Sequence, residues 1–198
     1  MTSTRLSHLK TDLRATRTRL AVFFAAVALF FCTSAQAEIK IQYATLSKQS
    51  DSAYALNADF RIILPNQLQN AVMHGTPLFF VMEYSMARPR WYWSDEDVVS
   101  ARRESRVSYN SLTQQYRVVI GADQYRFNTL NEAVLYASRA TQWRLIRANQ
   151  YVTGEQYDAS VRLYLNTSKL PQAYQLNSLT QQGWGLNSGW YRFNFTPR

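Results

Sequence analysis

The segment ARPRWYWSDEDVVSARR, residues 87–103, gathers side chains that could do chemistry. Two arginines flank a proline, three aromatics follow in a row, and Ser94, Asp95, Glu96 and Asp97 precede two more arginines. Guanidinium groups grip carboxylates and phosphates through paired hydrogen bonds. Tryptophan, tyrosine and arginine are the residues that most often anchor protein partners, and two carboxylates can serve as acid and nucleophile in glycoside hydrolysis. In an extended chain Arg88, Arg90, Tyr92 and Ser94 fall on one face, and Pro89, Trp91, Trp93 and Asp95 on the other. Arg88, Arg90 and Tyr92 form the candidate partner-binding face. Under a glycan-binding alternative the residues are Trp91, Trp93, Asp95 and Asp97.

Plainer roles compete with both. Trp91 and Trp93 are read as inter-sheet core, since large aromatics fill sandwich interiors, which leaves Arg88 and Arg90 as an exposed face whose stems cover aromatic neighbours. The acidic residues are read as turn chemistry, with aspartate accepting from backbone amides. Residues two apart in one turn rarely face each other across a substrate, and calcium asks for more oxygen ligands and usually a glycine-containing loop. No residue set reads as catalytic, and none as a metal or cofactor site.

The elements that must position this segment are strands. Pro89 cannot donate to a ladder, so it marks a strand end, an edge or a bulge. After the acidic residues, Val99, Ala101, Val107 and Tyr109 alternate with Arg102, Glu104, Arg106 and Ser108, which predicts a hairpin with residues 94–97 at its tip. Arg103 breaks that alternation. Elsewhere period two places Tyr54, Leu56, Ala58, Phe60 and Ile62 on one face, and Tyr157, Ala159, Val161, Leu163 and Leu165 on another. PLFFVMEYSM is apolar on both faces from Leu78 to Val81, as a covered central strand is. QYRVVI, QYRF and the final YRFNF read as strands, with IKIQYATL and WRLI as weaker ones.

Two short helices interrupt them. The first has Pro65 near its start, Leu68, Ala71 and Val72 at helical spacing, and Gly75 past its end. The second opens with Thr129 and Glu132 in capping-box spacing and carries Leu130, Ala133, Val134 and Ala137 as its stripe. PQAYQLNSLTQQGWGLNSG reads as a helical turn and a glycine-rich loop. Gly183, Gly185 and Gly189 precede a strand rather than opening a helix, so they are no phosphate loop. The expectation is a mainly β single domain, an antiparallel β-sandwich-like fold with two short helices between strands. A sheet with helices on one face is the runner-up.

The N-terminus bounds where the protein works. Arg14, Arg17 and Arg19 precede an apolar run from Leu20 to Phe31, and the run ends in CTSAQAE with Ala35 and Ala37 in small-residue positions. This predicts a secretory signal over residues 1–37, cleaved after Ala37, and a mature domain over 38–198. The run falls short of the roughly 20 residues that span a bilayer, so no permanent membrane span is expected after cleavage. Phe31 before Cys32 argues against lipidation. Of the 22 Lys and Arg, Arg5, Lys10, Arg14, Arg17 and Arg19 precede residue 38, and of the 13 Asp and Glu only Asp12 does. The stretch from Glu38 therefore carries 17 basic against 12 acidic residues, a net charge of +5. Such a charge on a periplasmic protein suits acidic partners, an anionic surface or polymer among them, and not nucleic acid.

Cys32 is the single cysteine, so the mature chain has no disulfide and no thiol nucleophile. His74 is its single histidine, just before Gly75, where it suits a helix C-terminus better than a catalytic triad.

RPRWYW, NSLTQQYRV, FNTLNEAV, TSKLP at 167–171 and WYRFNFTP together resemble domain-of-unknown-function family 4390, a set of exported proteobacterial proteins. The likeness runs from about Tyr54 onward. It implies no activity, cofactor or catalytic residue. It implies, by gene neighbourhoods that hold a nitrogen-regulation sensor kinase pair, a signalling accessory rather than an enzyme. The expected function is a non-catalytic periplasmic binding module that contacts another envelope protein. The alternative is a carbohydrate-active protein that binds or cleaves cell-wall glycan.

Overall fold

Strand follows strand wherever apolar residues alternate with polar ones. The computed structural model describes residues 38–92, 94–172, 174 and 185–198. Its strands are β1 (Glu38–Lys48), β2 (Tyr54–Ile63), β3 (Leu78–Arg88), β4 (Glu96–Asn110), β5 (Gln115–Ile120), β6 (Asp123–Phe127), β7 (Arg139–Ile146), β8 (Tyr157–Leu165) and β9 (Tyr191–Phe195). Helix α1 (Asn66–Met73) joins β2 to β3, and α2 (Leu130–Ala137) joins β6 to β7. Two antiparallel sheets result, one of order β1-β2-β7 and one of order β6-β5-β4-β3-β8-β9. The mainly β, sandwich-like domain with two short helices is thus the observed fold.

The inner faces meet in one core. β8 buries Tyr157, Ala159, Val161, Leu163 and Leu165, and β2 buries Tyr54, Leu56, Ala58 and Phe60 with Ile62 half-buried. β3 lies between β4 and β8 and buries Leu78, Phe80, Met82, Tyr84 and Met86 inward, and Val81 on its other face. Burial pushes the Tyr84 hydroxyl well above the ordinary tyrosine value, so it stays protonated. Three strands cannot cover six, and α2 packs on β4, β5 and β6 beside the small sheet while α1 packs on β4.

The helix ends follow the chemistry of their residues. Pro65 is the N-cap of α1, and Gly75, at φ 89°, takes the left-handed conformation just past its end. Exposed His74 is the C-cap, and its Nδ1 donates to Asn70 O at 2.7 Å. On α2 the Thr129 side chain accepts from Glu132 N at 3.2 Å while the Glu132 carboxylate accepts from Thr129 N at 3.1 Å. Among the residues of PQAYQLNSLTQQGWGLNSG, positions 173 and 175–184 lie outside the described residues.

One irregularity sets the inner surface. Leu56 pairs with Trp143 and Ala58 with Ala140, so Thr141 and Gln142 together oppose Asn57 in a β-bulge. Gln142 sits at φ 51°, and its backbone N–H donates to Asn57 Oδ1 at 3.0 Å. An unbroken strand would put Ala140 and Trp143 on opposite faces. The extra residue brings both to the core side, where Ala140 is buried and Trp143 packs half-buried against the core.

Candidate functional site

β3 and β4 pair as a hairpin through Ala87 with Asp97 and Arg88 with Glu96, with a bulge after Met86. The ladder stops there because Pro89 has no N–H to donate. The connection is therefore residues 89–95, and Glu96 and Asp97 begin β4 instead of standing at the tip. RPRWYW is mostly loop, and the strand alternation expected for it ends at Arg88. Trp91 is consequently 93% exposed and Tyr92 67% exposed, which corrects the expectation that Trp91 fills the core. Trp93 lies outside the described residues.

Ion pairs hold this loop at its base. The Arg90 guanidinium contacts Glu96 Oε2 at 2.5 Å, and Arg88 lies 3.7 Å from the same oxygen. Arg88 Nε also stands 3.0 Å from Glu155 Oε2, and Arg88 Nη2 donates to the Tyr157 hydroxyl at 3.2 Å. That hydroxyl accepts from Val152 N at 2.9 Å and donates to Glu155 at 3.2 Å. The Tyr157 hydroxyl, with the Glu155 and Glu96 carboxylates around it, holds the Arg88 guanidinium above its ordinary value. Arg90 N donates to Asp95 Oδ1 at 3.3 Å, the backbone-capping role typical of a turn aspartate. Trp91 and Tyr92 meet edge to face with centroids 5.0 Å apart.

So the structure brings Arg88, Arg90, Asp95 and Glu96 together under two exposed rings, with Asp97 exposed at the start of β4. Glu155 and Tyr157 were not legible as parts of this site. Tyr157 announced itself only as an inward strand residue, and its contact with Arg88 spans 69 positions.

A second polar cluster lies on the outer face of the large sheet. Glu83 accepts from Arg162 Nε at 2.8 Å and from the Tyr164 hydroxyl at 2.9 Å. The Arg162 guanidinium sits over the Tyr164 ring at 5.1 Å and the Trp190 ring at 4.5 Å. Burial alone would raise Glu83, but the hydrogen bonds from Arg162 and Tyr164 and the charges of Arg162 and Arg102 overturn it, holding the carboxyl below its ordinary 4.5. A depressed carboxyl stabilises the fold above the unfolded value and loses that contribution as pH falls through the folded one. Thermal midpoints are therefore expected to drop below about pH 4.5, and Glu83→Gln to flatten that acid limb. Identical acid limbs in the two proteins would refute this role for Glu83.

Among the described residues no helix is long and apolar enough to cross a membrane. A family model described as "Domain of unknown function (DUF4390)" matches residues 36–194. No curated protein and no solved structure matches the chain.

Proposed function

The chain belongs to the DUF4390 family, and from that premise we propose that it is an exported, non-catalytic binding module whose 89–95 loop docks on another protein of the bacterial envelope. The observation that carries this reading is Trp91, 93% exposed beside an exposed Tyr92 on a loop braced by ion pairs. Leaving two large rings in water gives up apolar burial. A loop already held in place loses little entropy on binding, so the rings can return that energy at an interface. Arg88 and Arg90 contribute as struts that also present positive charge. Export rests on the charged and apolar N-terminal segment, and a chain found only in the cytoplasm with residues 1–37 still attached would count against it.

The Trp91→Ala, Tyr92→Ala double variant is expected to fold normally and to lose partners recovered by wild type from envelope extract. Truncating such anchors costs about 2 kcal/mol or more each, roughly 30-fold in affinity per residue. Full recovery of every partner by the folded variant would sink the proposal. The same exposed indole also favours a second reading, stacking of cell-wall glycan on Trp91 with Asp95 and Asp97 alongside. Co-sedimentation with purified cell wall that the double variant loses, with no protein captured, would select that one.

A further inference from the structure

Arg103 is a cation that the fold draws inward without an ion pair among the described residues. It breaks the alternation of β4 because it points inward, paired across to inward Met82 on β3. Its guanidinium lies over the Trp143 ring at 5.0 Å and donates to Arg139 O at 2.5 Å, so it bridges the two sheets. Its Nε is buried with no hydrogen-bond partner, and among the described residues no carboxylate makes an ion pair with its guanidinium. A desolvated cation supported by one ring and one carbonyl is costly, and buried charges are ordinarily paired.

Arg103 opens on a cavity of about 670 Å³, within the size range of small-molecule sites. Ile120, Tyr125, Tyr136 and Trp143 supply its apolar and aromatic walls. Two other arginines line it, but Arg139 is answered by Asp59 at 2.7 Å and Arg144 by Asp51. Burial and the hydrogen bond with Tyr125 push the Tyr136 hydroxyl up to about 12, so Tyr136 stays neutral beside Arg103 near neutral pH. The lining's acidic residue is exposed Asp123, on β6, which disfavours multiply charged anions.

We propose that this cavity, between β7 of the small sheet and the β4-β5-β6 end of the large one, is a binding site for a small aromatic monocarboxylate. The carboxylate would complete the coordination of Arg103 and the ring would lie against Trp143 and Tyr125. A single negative charge matches the single unanswered cation. One or two fused rings match the walls.

The test compares 2-naphthoate with its neutral isostere 2-naphthamide on the full chain, following the Trp143 indole N–H signal by NMR, assigned with Trp143→Phe. Naphthoate is expected to shift that signal saturably, and the amide to bind at least about tenfold more weakly, as loss of a hydrogen bond to a charged group implies. Arg103→Met, which keeps the stem and removes the charge, is expected to bring naphthoate down to the level of the amide. An absent or non-saturable shift, equal affinity for acid and amide, or undiminished binding by folded Arg103→Met would each overturn the proposal. Should Arg103→Met fail to fold, the acid-to-amide ratio on the unmodified protein decides, a ratio near one overturning the proposal and tenfold or more supporting it.

Discussion

Phe80→Ala is expected to lower unfolding free energy by about 3 to 5 kcal/mol, because it deletes a buried ring and leaves a cavity that surrounding strands cannot close. Phe80 is fully buried on the central strand, opposite Ser105 on β4 and Leu165 on β8, so both neighbours lose packing at once. Trp91→Ala removes a larger ring, yet its expected cost is no more than about 0.5 kcal/mol, the range of exposed positions. Urea denaturation of the two variants checks both at once. Comparable losses in the two would mean that the indole is buried after all, and the loop would no longer be a free surface.

Tyr157→Phe is the second large effect. Its ring would still fill the core, but one hydroxyl now serves Val152 N, Arg88 and Glu155. Removing it leaves a backbone amide and a charged pair short of a partner, a loss of about 1 to 3 kcal/mol by the usual penalty for an unsatisfied group. Equilibrium unfolding should show it, with an unchanged denaturant slope marking a loss of stability rather than of structure. A change below about 0.5 kcal/mol would mean that the hydroxyl is not the junction of these contacts. The loop should feel the loss as well, since Arg88 would keep only its carboxylate neighbours.

Much of the fold could be read along the chain, for a local reason. β8 alternates without interruption, and β2 does so from Leu56 to Arg61, so hydrophobicity alone assigns their faces, and all the inward residues expected on β8 are buried. The N-terminal cap of α2 rests on Thr129 and Glu132, three positions apart, and formed as their spacing required. The family, too, is legible in RPRWYW, NSLTQQYRV and WYRFNFTP. Where regularity breaks, the reading weakens. Of β7 only WRLI stood out, because the bulge at Thr141 and Gln142 hides the first half of an eight-residue strand.

Sequence alone therefore determined the fold class, the strands of unbroken period, the starts of both helices and the end of α1, since each depends on residues within a turn or two of one another. Tertiary pairing decided the rest. Whether Trp91 lay inside or outside depended on where β4 would close the ladder, and the pairing of Arg88 with Glu96 closed it before the aromatics. Whether Arg103 and Trp143 would meet depended on a bulge in one sheet and a strand in the other. Period two says which residues share a face, but a ladder's end and an inserted residue are set by the partner strand, which lies far away in sequence.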